Sequence, residues 1–263
     1  YMTGKWHINL PVDKLFDVVK NPKPGMPKDK GLEYNKQLKL WENESNQLED
    51  LSDYMPIGYN RPINENDNSW RPDDSIFGGF WEGGKHWSEV IKDDAIEFIN
   101  DSQNFQNPFF MYLAFNAPHD PRQAPKKFLN LYPIEKISIP VNYSPTHPYM
   151  YEIGNGPGLR DEALAPYPRS KYSVKKHIQE YYAIISHLDE QVGKIISHLE
   201  NKKLLENTYI IFTSDHGLSV GQHGLLGKQS LYDHSIRVPM IISGPKIKAN
   251  SSFTSDVYLQ DIV

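Results

Sequence analysis

A carboxylate, two imidazoles and an ammonium group gather in Asp215-His216-Gly217, Gln222-His223 and Lys228. They follow Thr208-Tyr-Ile-Ile-Phe212, a short apolar run rich in β-branched and aromatic residues, which predicts a buried strand. In an open α/β sheet the C-terminal edge of the strands is where ligands bind. Asp and His can ligate a divalent cation, and a nearby Lys suits an oxyanion. Asp215 and His216 are adjacent, so sharing one cation needs a turn, which Gly217 permits. Two ligands are too few for a stable site, because Ca²⁺ takes roughly six to eight oxygen-rich contacts. Taken alone, the stretch also reads as a capped turn with a solvated lysine, since structural networks gather charges too.

Two further segments carry chemistry. In Gly4-Lys5-Trp6-His7 an extended backbone points Lys5 and His7 to the same side. An ammonium beside an imidazole can hold an anion and move a proton. The four residues alone read better as a surface lysine and a satisfied histidine. In Ala117-Pro118-His119 the proline stiffens the backbone just before the imidazole, a placement that suits a general acid. Asp120 and Arg122 either tune that histidine or are simply solvated.

Helices and strands must position these groups. From Ser88 the pattern is helical, with Ile91, Ala95, Phe98 and Ile99 on one face. Residues 109–115 read as a buried strand. A long helix is expected over about 173–201, with an apolar stripe of Tyr181, Ile185, Leu188, Val192, Ile195 and Leu199. Ser173 suits its N-cap and Lys202-Lys203 its C-terminus. Residues 209–212 and 238–242 supply two more strands. Strands alternating with helices predict an α/β fold, a mostly parallel central sheet with helices on both faces. Residues 21–87 and 133–172 read as loop-rich insertions in one domain. In the first, Trp41, Tyr54, Tyr59, Trp70, Phe77, Phe80 and Trp81 argue for packing rather than disorder.

The bulk properties exclude several classes. A net charge of −5 and a pI near 6.1 argue against a nucleic-acid backbone binder. With no cysteine among 263 residues, neither disulfides nor thiol chemistry is available. The longest apolar run, residues 109–115, is far too short to cross a bilayer. The abrupt start at Tyr1 and the stop at Val263 lead us to expect a piece of a longer protein.

Together these segments resemble the type I sulfatases of the alkaline phosphatase superfamily. The likeness rests on Thr3-Gly-Lys-Trp-His7, Pro108-Phe-Phe-Met-Tyr-Leu-Ala-Phe-Asn-Ala-Pro-His119 and Phe212-Thr-Ser-Asp-His-Gly217. It continues in Gly221-Gln-His-Gly-Leu-Leu-Gly-Lys228 and Tyr232-Asp-His-Ser-Ile-Arg-Val-Pro239. The five pieces occur in the family's order, and the likeness is weakest over residues 21–81. The resemblance implies that Lys5 contacts the sulfate and the nucleophile, and that His7 is the base that breaks down a covalent sulfate intermediate. It implies that His119 donates to the leaving alcohol, that Lys228 neutralises sulfate oxygens, and that Asp215 and His216 bind Ca²⁺. His223 is placed near the substrate. Such residues fit a reaction in which charge grows on the sulfuryl and leaving oxygens.

The family's nucleophile is a formylglycine made from a C/S-x-P-x-R motif, and no Arg here has a Pro two residues before it. The resemblance therefore implies that this motif, two further acidic calcium ligands and a maturating, formylglycine-generating enzyme belong to a longer protein. The domain is then incomplete, and these 263 residues alone are expected to bind metal weakly and not to turn over. Similarity to bacterial polysaccharide sulfatases implies a sulfated carbohydrate substrate and a periplasmic or cell-surface location. Trp70, Arg71, Trp81, Lys85 and His86 are candidate substrate-wall residues, with packing or solvation as the plain alternative. Arg237 with Asp233 reads as a structural pair. Two competing readings stand: a phosphate or phosphonate ester hydrolase of the same superfamily, and a non-catalytic carbohydrate-binding relative.

Overall fold

The computed structural model describes residues 1–27, 39, 64–68 and 70–262. The regular elements run in the order β1 (Met2–Lys5), β2 (Val19–Lys23), the hairpin of β3 (Trp81–Glu82) and β4 (Lys85–His86), α1 (Trp87–Ser102), β5 (Tyr112–Ala114), α2 (Lys126–Leu129), α3 (Lys171–Asn201), β6 (Ile210–Thr213), α4 (Asp233–Ile236) and β7 (Met240–Ser243). β1 is central in a three-stranded sheet and pairs in parallel with β2 and β5. α1 packs on all three strands, and α3 packs on α1. The expected α/β class, a parallel sheet with helices, is what forms.

Several local expectations change. β2 falls in a stretch read as loop, because Asn21 and Pro22 hide it; an edge strand tolerates the missing N–H of a proline. β6 and β7 pair antiparallel, not parallel. A parallel return needs a crossover, usually a helix, and only the four-residue α4 lies between them. The strand over 109–115 shrinks to β5, and Phe110 and Tyr112 lie exposed. Ile211 and Phe212 of β6 are exposed too, so this strand is not buried as expected. Trp41, Tyr54 and Tyr59 lie outside the described residues. Of residues 133–172, read as a loop-rich insertion, 171–172 already belong to α3; the rest carry two short 3₁₀ turns, Ile134–Lys136 and Glu162–Leu164, and one isolated bridge from Tyr143 to Gln222.

The helices show why these residues fold as they do. His86, not a residue of the apolar run, caps α1: its Nδ1 accepts the Ser88 N–H at 3.1 Å. α3 is capped by Ser170, whose hydroxyl accepts the Ser173 N–H at 3.0 Å; the expected cap at Ser173 is one turn inside the helix. Its end is a Schellman closure, with Lys203 at φ +58 and the Leu204 N–H donating to Leu199 O at 2.9 Å. The buried stripe of α3 carries Val174, Ile178, Ile184, Leu188, Ile195 and Leu199. Ile185 lies 37% exposed, so the stripe passes through its neighbour Ile184. This helix is the spine of the core. Its N-terminal end packs on Val220 of the site loop, its middle on Phe80 and Phe128, and its C-terminal end on Ile99 and Ile210.

Candidate active site

β1 delivers Lys5 to the sheet edge. A side chain at Gly4 would put its Cβ 2.0 Å from Ala114 O, and the backbone there has φ +95. Only glycine allows β1 and β5 to meet so closely just before the lysine. β1 is tied to α1 by the Thr3 hydroxyl, which donates to Asp94 Oδ2 at 2.6 Å. Lys5 Nζ donates to Asp215 Oδ2 at 2.9 Å, joining the first motif to the third. The strand ends at Lys5, so His7 lies beyond it, exposed, with its ring over Gly25.

His119 and Lys228 meet in a buried cluster. His119 sits between two cis X-Pro bonds, Ala117–Pro118 and Asp120–Pro121. Its Nδ1 lies 2.8 Å from the Asp120 carbonyl, which can only accept, so Nδ1 carries the proton. Nε2 is then a bare acceptor, and Lys228 Nζ donates to it at 3.2 Å. Burial pushes the His119 pKa down to about 4, against the raising effect of Asp120. The imidazole is therefore neutral near pH 7. Lys228 is also pushed down, to about 8, by burial foremost and by the nearby Arg160, Lys5 and Arg122 charges.

Carboxylates hold this cluster together. Lys228 Nζ donates to Asp161 Oδ2 at 2.8 Å, and Gln229 Nε2 to the same oxygen at 2.6 Å. The Arg160 guanidinium bridges Asp161 and Asp120, reaching Asp120 Oδ2 at 2.5 Å. Burial alone would raise Asp120, but Arg160, His119 and Arg122 keep it well below the usual carboxylate range. Beneath lies Glu162, fully buried with its partner Arg169 at 2.9 Å. Its carboxylate also accepts the backbone N–H groups of Leu226 at 3.0 Å and Gly227 at 2.9 Å. Glu162 thus fixes the backbone, and Asp161 the side chain, of the loop that presents Lys228.

The Asp215 turn is held differently. Gly217 has no positive φ; it is required because a Cβ would fall 2.1 Å from His234 O. Its N–H donates to Ser235 O at 2.8 Å, seating the turn on α4. His216 Nδ1 donates to Gly217 O at 2.9 Å, leaving Nε2 only 3.7 Å from Asp215 Oδ2. The side chain of Asp215 is 63% exposed. Burial works to raise its pKa, but the Lys5 bond outweighs it and the carboxyl stays below its ordinary value. One carboxylate oxygen and one imidazole nitrogen facing each other fit two places in a cation's shell. Among the described residues no third His, Asp or Glu forms a cluster with them, and two donors are fewer than a Ca²⁺ ion takes.

A sequence profile described as Sulfatase matches residues 31–261, most of the chain. The chain belongs to the sulfatase family. Iduronate 2-sulfatase of Mus musculus is 35% identical over 162 residues, which cover 58% of this chain and 29% of that protein. A sulfatase of Formosa agariphila is 30% identical over 169 residues, covering 61% and 32%. The chain thus spans about a third of the length of these curated relatives. A solved phosphonate monoester hydrolase from Silicibacter pomeroyi superposes with a TM-score of 0.60 at 18% identity, over 92% of this chain and 48% of the other; it shares the fold.

Within this sulfatase-family domain, Lys5, His119, Asp215, His216 and Lys228 come together. His223 lies apart, in a cavity of about 470 Å³ that it lines with Asn142, Gln222, Tyr232 and His234. Its ring stacks on Tyr232, 4.3 Å between centroids, and its Nε2 is 3.0 Å from Asn142 Nδ2. The expected wall residues disperse. His86 is wholly buried as a helix cap and Trp70 is buried in packing. Trp81 donates to Pro72 O at 3.2 Å, Lys85 pairs with Asp93, and Arg71 pairs with Asp73 and Asp74. Arg237 and Asp233 form the expected exposed pair at 3.4 Å. Arg160, Asp161, Glu162 and Arg169 escaped the sequence reading. The one signal for them is a run of three charges, Arg160-Asp161-Glu162, inside a Pro-, Gly- and Tyr-rich loop.

Proposed function

We propose that this domain hydrolyses sulfate esters and that Lys228, Lys5 and His119 form its anion-binding half. The observation that carries the reading is the Lys228 ammonium, held between Asp161 and His119 Nε2 and within electrostatic reach of Lys5. An ammonium in a partly dry pocket stabilises charge developing on sulfuryl oxygens far better than one in water. Lys5 supports the same oxygens from β1. His119 accepts from Lys228 in the resting state, so a proton reaches a leaving oxygen through Nε2 only when Lys228 supplies it. The lysine, with its pKa pushed down to about 8, is well matched to give and retake that proton near neutrality.

We propose that Asp215 and His216 give two donors to a Ca²⁺ ion, and that His7 acts as base toward a formylglycine supplied from upstream sequence by a maturating enzyme. When bound, these groups supply Lewis acidity and the nucleophile. A sulfated carbohydrate is the substrate class, supported by the likeness to an enzyme named for iduronate. By the resemblance to exported bacterial enzymes, the protein works in the periplasm or at the cell surface. No helix among the described residues is long and apolar enough to cross a membrane. The test is hydrolysis of 4-nitrophenyl sulfate and a panel of sulfated sugars by the native full-length protein, before and after chelation. Sulfate release abolished by Lys228→Ala and by chelator is expected; release unaffected by Lys228→Ala would sink the reading.

A further inference from the structure

We propose that Asp161 is a specificity-determining residue: by cancelling one cationic charge beside Lys228 it makes the anion site accept singly charged esters and discriminate against doubly charged phosphate monoesters. The inference rests on the anion-binding role given above to Lys228. It follows from the charges around Lys228, some bonded to it and some only within electrostatic reach. The cations are Lys228, Arg160 and Arg122, and the carboxylates are Asp120 and Asp161. Glu162 and Arg169 cancel as a buried pair, Lys5 cancels Asp215, and His119 is neutral. Of the two carboxylates, Asp161 is the one bonded directly to Lys228.

A sulfate monoester carries one negative charge and meets the repulsion of Asp161 once. A phosphate monoester, with its second pKa of about 6, carries almost two near pH 7.5 and meets about twice that repulsion. In a buried cluster the difference is large, because screening is weak. Specificity is the difference between the two affinities, and Asp161 acts on it by repelling the more highly charged ligand. Its placement suits this. The carboxylate is nearly inaccessible and spends its bonds on Lys228, Gln229 and Arg160. The ligand therefore meets its charge and not its hydrogen-bonding capacity. Any fixed charge elsewhere in the site, including a cation at Asp215, acts on wild type and variant alike and cancels in their ratio.

The test uses the native full-length protein with three probes at about pH 7.5, where the phosphate is mostly doubly charged. These are 4-nitrophenyl sulfate, 4-nitrophenyl phosphate and the singly charged monoester of phenylphosphonate. Both kcat/KM and the calorimetric affinity for methyl sulfate and methyl phosphate are measured. Asp161→Asn keeps the shape and removes the charge, and should raise the phosphate-to-sulfate ratio about tenfold. The phosphonate monoester should move with the sulfate, because charge and not phosphorus is being read. Asp161→Glu should restore the wild-type ratio. Arg160→Gln removes a positive charge and should move the ratio the opposite way, which keeps the inference testable if Asp161→Asn does not fold. Equal losses on all three probes would make Asp161 a positioning residue only and overturn the inference. A ratio unmoved in both variants, with sulfate still hydrolysed, overturns it while leaving the sulfatase reading intact. A wild-type protein that neither binds nor hydrolyses any probe overturns both.

Discussion

The two halves of the site are built to different standards. Lys228 and His119 sit on a buried lattice of hydrogen-bonded charges: Asp161, Arg160 and Asp120 on one side, and the Glu162–Arg169 pair behind the loop. Lys5 on β1 forms one ion pair with Asp215 of an exposed turn, and His216 Nε2 lies 3.7 Å from the same carboxylate oxygen. The difference teaches where each half gets its shape. The first is part of the core, so its geometry and the stability of the fold are one property. The second is held by close backbone approaches, Gly4 against Ala114 and Gly217 against His234, and by short bonds from Thr3 and Ser214, so Lys5, Asp215 and His216 themselves contribute little to folding. The largest test of that division is Glu162→Ala. It leaves Arg169 charged and unpaired, and strips two backbone N–H groups of their acceptor. Breaking a buried pair in this way costs roughly 3–5 kcal/mol. Thermal or urea denaturation should show it, and a loss below about 1 kcal/mol would mean the two halves are not so different.

The next effect separates activity from stability at one residue. Lys228 has its pKa lowered to about 8 from an ordinary 10.5. If the ammonium is the working form, activity falls about tenfold per pH unit above 8. Stability moves the other way. Between pH 8 and 10.5 the unfolded chain holds the lysine proton and the folded chain does not, so this group's contribution rises with pH across that window. A pH–rate profile and a series of urea melts from pH 7 to 10.5 should therefore slope in opposite directions. Lys228→Met should abolish the rate and remove the stability slope. A rate that stays flat to pH 10 would exclude the ammonium as the working form.

A smaller effect of the buried half appears in acid. His119 titrates near 4 when folded and near 6.5 when unfolded, because burial disfavours its charge. As pH falls through that window the unfolded chain takes a proton that the folded chain refuses. Stability present above 6.5 is lost, on the order of 2–3 kcal/mol by pH 4. His119→Asn should flatten the acid limb of stability by that amount. An unchanged limb would show that the imidazole charges readily in the fold, and that the buried half is wetter than its geometry implies.

These contrasts follow the line between what could and could not be read in the chain. The residues of both halves were legible, because each lies in a short contiguous motif ending a strand or opening a turn. Asp161 was not: it lies 67 positions from Lys228, and nothing local marks a partner at that range. Glu162 reads as a loop charge until Leu226 and Gly227 are seen to donate to it. The class of fold followed from alternating patterns, whereas the antiparallel β7 depended on how a long connection returns. Ser170 and Ser173 are both plausible caps one turn apart, and only the bond chooses. Ile184 and Ile185 differ by about 100° around a helix, which periodicity over a few residues resolves poorly. Next to Asp215-His216, Gly217 suggests φ freedom, but what the position needs is the absence of a Cβ.

The smallest expected change sharpens the comparison most. Asp215→Asn removes one partner of the Lys5 ion pair, where the carboxylate is largely in water. Exposed pairs contribute about 0–1 kcal/mol, screened further by salt. Denaturation midpoints for Asp215→Asn should therefore lie within about 0.5 kcal/mol of the parent in free energy at 0.15 M salt. On the proposed function the same substitution removes one of two cation donors, so the Ca²⁺ affinity of the native protein should fall while its fold does not change. A Lys5→Met variant should be equally stable and lose anion affinity. If Asp215→Asn instead lowers stability as Glu162→Ala does, the exposed half is part of the core after all, and the site is one cooperative unit.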